Sequence, residues 1–149
     1  MQLAFFQPDI PQNLGTMLRL SACMNVGAIL IEPCGFPYDD RKVRRAGMDY
    51  IDHVLLTRYA SWEQFQEKKS RASRLILLTT KSPLVYTDFA FMPEDILMVG
   101  RESAGVPDDV ASACDAAVTI PMHPPMRSLN VAISAAMVLG EGLRQTRTR

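Results

Sequence analysis

Residues 95–107 read DILMVGRESAGVP. Four apolar residues follow Asp95 without a break, and the turn after them is bounded by Gly100 and Gly105. An apolar run of this kind, uninterrupted by polar positions, suits a strand covered on both faces. Similar runs lie on either side: Leu3–Phe6, Ala28–Glu32 (AILIE), Asp52–Thr57, Arg74–Thr79 (RLILLT) and Ala117–Ile120 (AVTI). Helical stretches separate them. Pro11 suits the first turn of a helix running to about Met24. Ser61–Ser70 is a polar helix with Trp62 and Phe65 inward, and a long final helix begins near Ser128, which is placed to cap it. The alternation predicts an α/β fold: a mostly parallel sheet with helices on both faces. Ligands in such sheets bind beyond the carboxyl ends of the strands. Residues 7–13, 33–47, 79–86, 100–107 and 121–130 are therefore where a site is expected.

Length and composition bound the answer. The chain has 149 residues, 48% apolar and 21% charged. One domain over residues 1–149 is expected, with a core of ordinary size. Whole-chain disorder, collagen and coiled coil are excluded. Sixteen basic residues balance sixteen acidic ones, which argues against a protein that coats nucleic acid while allowing a local basic patch. Cys23, Cys34 and Cys114 form no CxxC pair; buried free thiols are expected, with neither a disulfide framework nor a metal site. The first residues, MQLAFFQPDIPQN, lack the form of a signal peptide, and no 18-residue apolar stretch predicts a membrane span. A cytoplasmic protein is expected.

The common catalytic and nucleotide-binding signatures are missing. The glycines form no G-x-G-x-x-G and no P-loop, and neither G-x-S-x-G nor H-E-x-x-H occurs. Histidine catalysis is open only to His123, in a loop. What remains are polar clusters at strand ends. Asn13-Leu-Gly15-Thr-Met-Leu-Arg19 lies on the first helix, where Leu14, Met17, Leu18 and Ser21 share one stripe and Arg19 falls off it. Gly100-Arg101-Glu102-Ser-Ala-Gly105 can present backbone amides to a small ligand. The loop IPMHPPMRSLN (120–130) is stiffened by prolines and leads into the final helix. That helix, SLNVAISAAMVLGEGLRQ, is apolar nearly all round, and a second subunit is one way to bury it. Arg41, Lys42, Arg44 and Arg45, flanked by Tyr38 and Tyr50, can contact phosphates. Taken singly, each cluster is also compatible with an ordinary turn, core helix or solvated face.

In this order, the clusters resemble the SPOUT class of methyltransferases, in its SpoU branch. N-x-G-x-x-x-R at 13–19, G-x-E-x-x-G at 100–105, and I-P-M at 120–122 with R-S-L-N at 127–130 resemble its three motifs. EPCGFPYDDRKVRRAGMDY (32–50) and LTTK (78–81) are similar to the small single-domain tRNA 2′-O-methyltransferases of the wobble nucleotide, the TrmL type. The sequence departs from those relatives at Val131-Ala-Ile-Ser and at Gly140. The resemblance implies a C-terminal deep trefoil knot, against the usual rarity of knots, and a homodimer. It implies S-adenosyl-L-methionine as cofactor, held by Leu78, Gly100, Ile120, Met122 and Ser128. It implies catalysis by Arg19 with Asn13, Glu102, Ser128 and Asn130. The substrate implied is the anticodon stem-loop of tRNA, with leucine tRNAs modified at wobble cytidine or uridine. Arg41, Lys42, Arg44 and Arg45 would bind the RNA, with Arg144, Arg147 and Arg149 of the tail. Alternatives are a ribosomal RNA 2′-O-methyltransferase, a non-catalytic RNA-binding module of this fold, and an unrelated nucleotide-binding α/β domain.

Overall fold

The structure, a computed structural model, describes residues 1–147, with the side chains of residues 46–48 outside the description. In chain order the elements are β1 (Gln2–Phe6), α1 (Pro11–Met24), β2 (Gly27–Ile31), α2 (Asp40–Gly47), β3 (Leu56–Tyr59), α3 (Trp62–Lys68), β4 (Leu75–Leu78), β5 (Ile96–Val99), α4 (Asp108–Ser112), β6 (Ala116–Val118) and α5 (Val131–Thr146). The strands form one sheet in the order β3-β2-β1-β5-β4-β6. Every neighbouring pair is parallel, with Phe5 between Leu30 and Val99 at its centre.

Alternation of side chains along each strand divides the core in two. Leu3, Phe5, Leu30, Ile76, Leu97 and Val99 face α1, α2 and α5. Ala4, Phe6, Ile29, Ile31, Leu77 and Met98 face Trp62 and Phe65 of α3 and Val110 of α4. Burial on both faces is why the central runs read as continuous apolar stretches. In α1, Leu14, Gly15, Met17, Leu18 and Ser21 are buried and Arg19 is exposed, as the helical stripe requires.

Three expectations need correction. The third strand is not Asp52–Thr57: Met48–His53 forms a 3-10 turn, and the strand begins at Leu56. It is an edge strand whose Thr57 and Arg58 are exposed, so it carries little apolar signal. The cap of the final helix is Asn130, not Ser128. Asn130 Oδ1 accepts from Ala132 N (2.8 Å) and Ile133 N (3.4 Å), two and three residues ahead, where a cap must reach. Cys23 is exposed rather than buried; Cys34 and Cys114 are half-buried, and burial pushes both thiols up to about 11.

The last helix is buried on one face only. Ala132, Ala135, Val138, Leu139 and Leu143 enter the core, whereas Ile133 and Met137 are exposed. Asn130→Ala, which removes the cap, is expected to lower stability by about 1 kcal/mol in chemical denaturation. Asn130→Asp, which keeps a capping oxygen, should lose much less.

Candidate active site

With every strand parallel, the loops after β1, β4, β5 and β6 emerge at one edge of the sheet. A cleft of about 820 Å³ opens there, lined by residues 77–83, 99–106 and 127–131 together with Asn13, Ile120 and Met122. Four of the five expected segments contribute to it; 33–47 does not. Leu78, Gly100, Ile120, Met122 and Ser128 all line the cleft, as do Asn13, Glu102 and Asn130.

The floor depends on close backbone approach. Arg101 and Gly105 exchange both backbone hydrogen bonds, at 2.9 Å each, and close the turn. A Cβ on Gly100 would lie 2.6 Å from the carbonyl carbon of Gly105. Gly105 has φ +64°, the left-handed region that glycine enters without strain.

A chain of hydrogen bonds crosses the mouth. Asn13 Nδ2 donates to Glu102 Oε1 (3.3 Å), and Asn130 Nδ2 donates to Asn13 Oδ1 (3.1 Å). Asn130 also caps α5, so the carboxylate of one loop, the first helix and the last helix are tied by a single thread. Residues 13, 102 and 130, far apart in sequence, are thereby brought together. Ser128 stands two residues before the cap and is exposed to the cleft.

Arg19 is not among the lining residues. It lies on the outer side of α1, its guanidinium 4.7 Å from the centre of the Tyr50 ring. Arg41, Lys42, Arg44 and Arg45 are exposed on α2, which anchors to the core through Val43. Arg44 pairs with Asp52 at 2.6 Å, both largely exposed, so the pair contributes little to stability. Tyr38 is occupied by Arg58, whose guanidinium lies 4.0 Å from its ring centre and is bound to Glu32. Of the tail arginines, Arg144 pairs with Glu141 (2.8 Å) and Arg147 donates to the Met24 carbonyl; Arg149 lies outside the described residues.

Sequence reasoning missed Arg101, Lys81 and Arg127 as cleft residues. Their positions in the loops that follow β4, β5 and β6 were the available signal. Within the cleft wall, Arg101 Nε is buried without a hydrogen-bond partner among the described residues. No group of three or more His, Cys, Asp or Glu that can hold a metal occurs among the described residues.

The model of the SpoU rRNA methylase family matches residues 1–140. The chain belongs to the SpoU methylase family. A tRNA (cytidine(34)-2′-O)-methyltransferase of Beijerinckia indica is 61% identical over 144 residues, covering 96% of this chain and 90% of that protein. A solved structure described as giving insight into 2-OH methylation of C/U34 on tRNA superposes with a TM-score of 0.91 at 35% identity, covering 97% of this chain and 94% of that one. An AdoMet-bound rRNA methyltransferase from Sinorhizobium meliloti superposes with a TM-score of 0.87 at 25% identity, covering 99% of this chain and 57% of that one. SpoU membership gives the three motifs their common meaning, which no single cluster carries.

Gly100→Ala is expected to destabilise the fold by about 1–3 kcal/mol, because the new methyl meets backbone rather than a movable side chain. Thermal unfolding checks this. Gly140→Ala, where nothing lies within 4 Å of the added Cβ, serves as the mild control.

Proposed function

We propose that this protein is an S-adenosyl-L-methionine-dependent tRNA 2′-O-methyltransferase acting on the wobble cytidine or uridine, with leucine tRNAs as substrates. The observation that carries the reading is the joining of Asn13, Glu102 and Asn130 across the mouth of an apolar-walled cleft, in a SpoU chain. The relatives' names support tRNA and its wobble position as the target.

The cleft fits the cofactor on its own chemistry. Leu78, Ile120 and Met122 offer apolar surface to an adenine and a thioether arm. The volume lies within the range of small-molecule pockets. The Gly100–Gly105 contact leaves backbone, not side chains, in the floor. Once bound, S-adenosylmethionine supplies a methyl group activated by its sulfonium charge.

The protein's task is then positioning, which can lower a barrier by about 7–11 kcal/mol. Arg19, exposed on α1 and outside the lining of the cleft, takes the RNA phosphate that flanks the target ribose. A guanidinium is a poor general base, so the 2′-hydroxyl proton passes to that phosphate or to a water. Asn13, Glu102, Ser128 and Asn130 orient the hydroxyl and the cofactor. The exposed cations of α2 take the anticodon stem-loop backbone, with the unpaired base recognised by stacking.

The same reading makes the chain a single domain and a cytoplasmic homodimer. Among the described residues no helix is long and apolar enough to cross a membrane. Met126, Leu129, Ile133 and Met137 are exposed large apolar side chains on and before α5, a surface that a second copy would cover. A knot, with the C-terminal part threaded through a loop, is supported by the close superposition on SpoU structures and by the path of the chain. After edge strand β6, the chain passes the cleft and returns through α5 to pack on α1 and β5.

Labelled methyl transfer to tRNA lacking the modification, followed by nucleoside mass spectrometry, tests the function. The expected result is a 2′-O-methyl mark at the wobble nucleotide, lost in Arg19→Ala. Transfer to ribosomal RNA alone would overturn the tRNA assignment. Arg19→Lys separates the two roles of that residue: weaker tRNA binding with turnover kept at saturation supports phosphate gripping. Ile133→Glu with Met137→Glu is expected to turn a dimer into a monomer in sedimentation, because each places a charge in the apolar surface.

A further inference from the structure

Asp9 belongs to none of the motifs, yet it sits where three loops meet. Its backbone N–H donates to Glu102 Oε2 at 2.7 Å. Its carboxylate accepts from the Ser103 backbone N–H at 3.1 Å and from the Ser103 hydroxyl. The two segments therefore clasp each other reciprocally, each giving a backbone amide to the other's carboxylate. The third loop closes on the same point. Gly35 N–H donates to the Pro8 carbonyl at 2.9 Å, and a Cβ on Gly35 would lie 2.5 Å from Asp9 Oδ1.

The backbone is bent to make this contact. Gln7 has φ +44°, in the left-handed region that a non-glycine residue rarely enters. Such a conformation persists where its surroundings hold it. Here Gln7 N–H donates to the Ile31 carbonyl (2.8 Å), and Arg101 donates to the Gln7 side-chain oxygen. The turn carries the chain from the end of β1 to the loop after β5.

We propose that Asp9 is a positioning residue: it clasps the turn after β5 and so holds Glu102 against Asn13 at the mouth of the cleft. The proposal rests on reading the cleft as the methyl-transfer site. Asp9 touches neither substrate nor cofactor in this account; it acts through Glu102. Both Glu102 oxygens are engaged, one by Asp9 and one by Asn13, so the carboxylate points where these two donors place it. Hydrogen bonding from Ser103 holds the Asp9 carboxyl below its ordinary range. The side-chain half of the clasp is therefore present above the ordinary carboxylate range, and is lost as pH falls through the lowered value.

The test reads the clasp and its consequence separately, in the full-length protein. In Asp9→Ala, amide hydrogen exchange at Ser103 is expected to speed up roughly tenfold, while β4 and β5 amides keep their rates. With tRNA as substrate, kcat should fall tenfold or more while tRNA affinity stays within about twofold. Asp9→Asn, whose amide oxygen still accepts the Ser103 N–H, should recover most of both. In an Asn13→Ala background, Asp9→Ala should cost little further turnover, because the route through Glu102 to Asn13 is already cut. Gly35→Ala, which keeps every clasp group but crowds Asp9 Oδ1, should move both readouts in the same direction. Unchanged Ser103 exchange overturns the proposal, as does a kcat loss that multiplies with that of Asn13→Ala. Faster exchange in a protein whose wild type methylates no RNA would leave the clasp standing and remove the functional reading instead.

Discussion

Six strands running in one direction oblige the chain to cross back over the sheet between each neighbouring pair. That constraint organises everything else. Helices must cover both faces, and every loop that follows a strand emerges at the same edge. The turns after β1, β4, β5 and β6 thus gather there without any affinity for one another having to bring them together. The cleft is a consequence of strand direction. Its particular shape comes from Gly100 and Gly105, whose backbones approach too closely for any side chain between them.

Polar groups at this edge face a cost that the apolar core does not. Glu102 and Asn13 are partly removed from water, and with the exposed Asn130 they bond one another in a line. The line ends in the amides at the start of α5, so the last helix is registered against the first through a side-chain amide rather than through apolar packing alone. Apolar contacts tolerate small slips; a hydrogen-bonded thread does not. This gives the site a rigidity that suits positioning chemistry.

Charge is segregated in the same economical way. The chain is neutral overall, yet α2 presents Arg41, Lys42, Arg44 and Arg45 outward while Val43 is buried on its inner side. Arg19, on α1, lies over the ring of Tyr50 and outside the lining of the cleft. The apolar surface of α5, with Ile133 and Met137, is a third separate zone. A basic helix, a cofactor-sized cleft and an apolar face are thus laid out on one small sheet.

Much of this was determined by the sequence alone. Runs such as ILMV and LILL are strands because only burial on both faces tolerates them, and the stripe of α1 followed from helical spacing. That Asn13, Gly100, Glu102 and Asn130 line one cleft was legible because their segments lie beyond the carboxyl ends of parallel strands. The start of β3 was not, since an edge strand with exposed Thr57 and Arg58 has no apolar signature, and Asn130 took the cap that Ser128 was equally able to offer by type. Tertiary structure alone decided that Asp9 meets Ser103 and Glu102, that Arg19 meets the Tyr50 ring, and that α5 leaves one face open. Each of these is a contact between segments distant in the chain. Local propensity and periodicity act over a few residues, whereas strand order, which brings residue 9 beside residue 103, is set only when the whole sheet assembles.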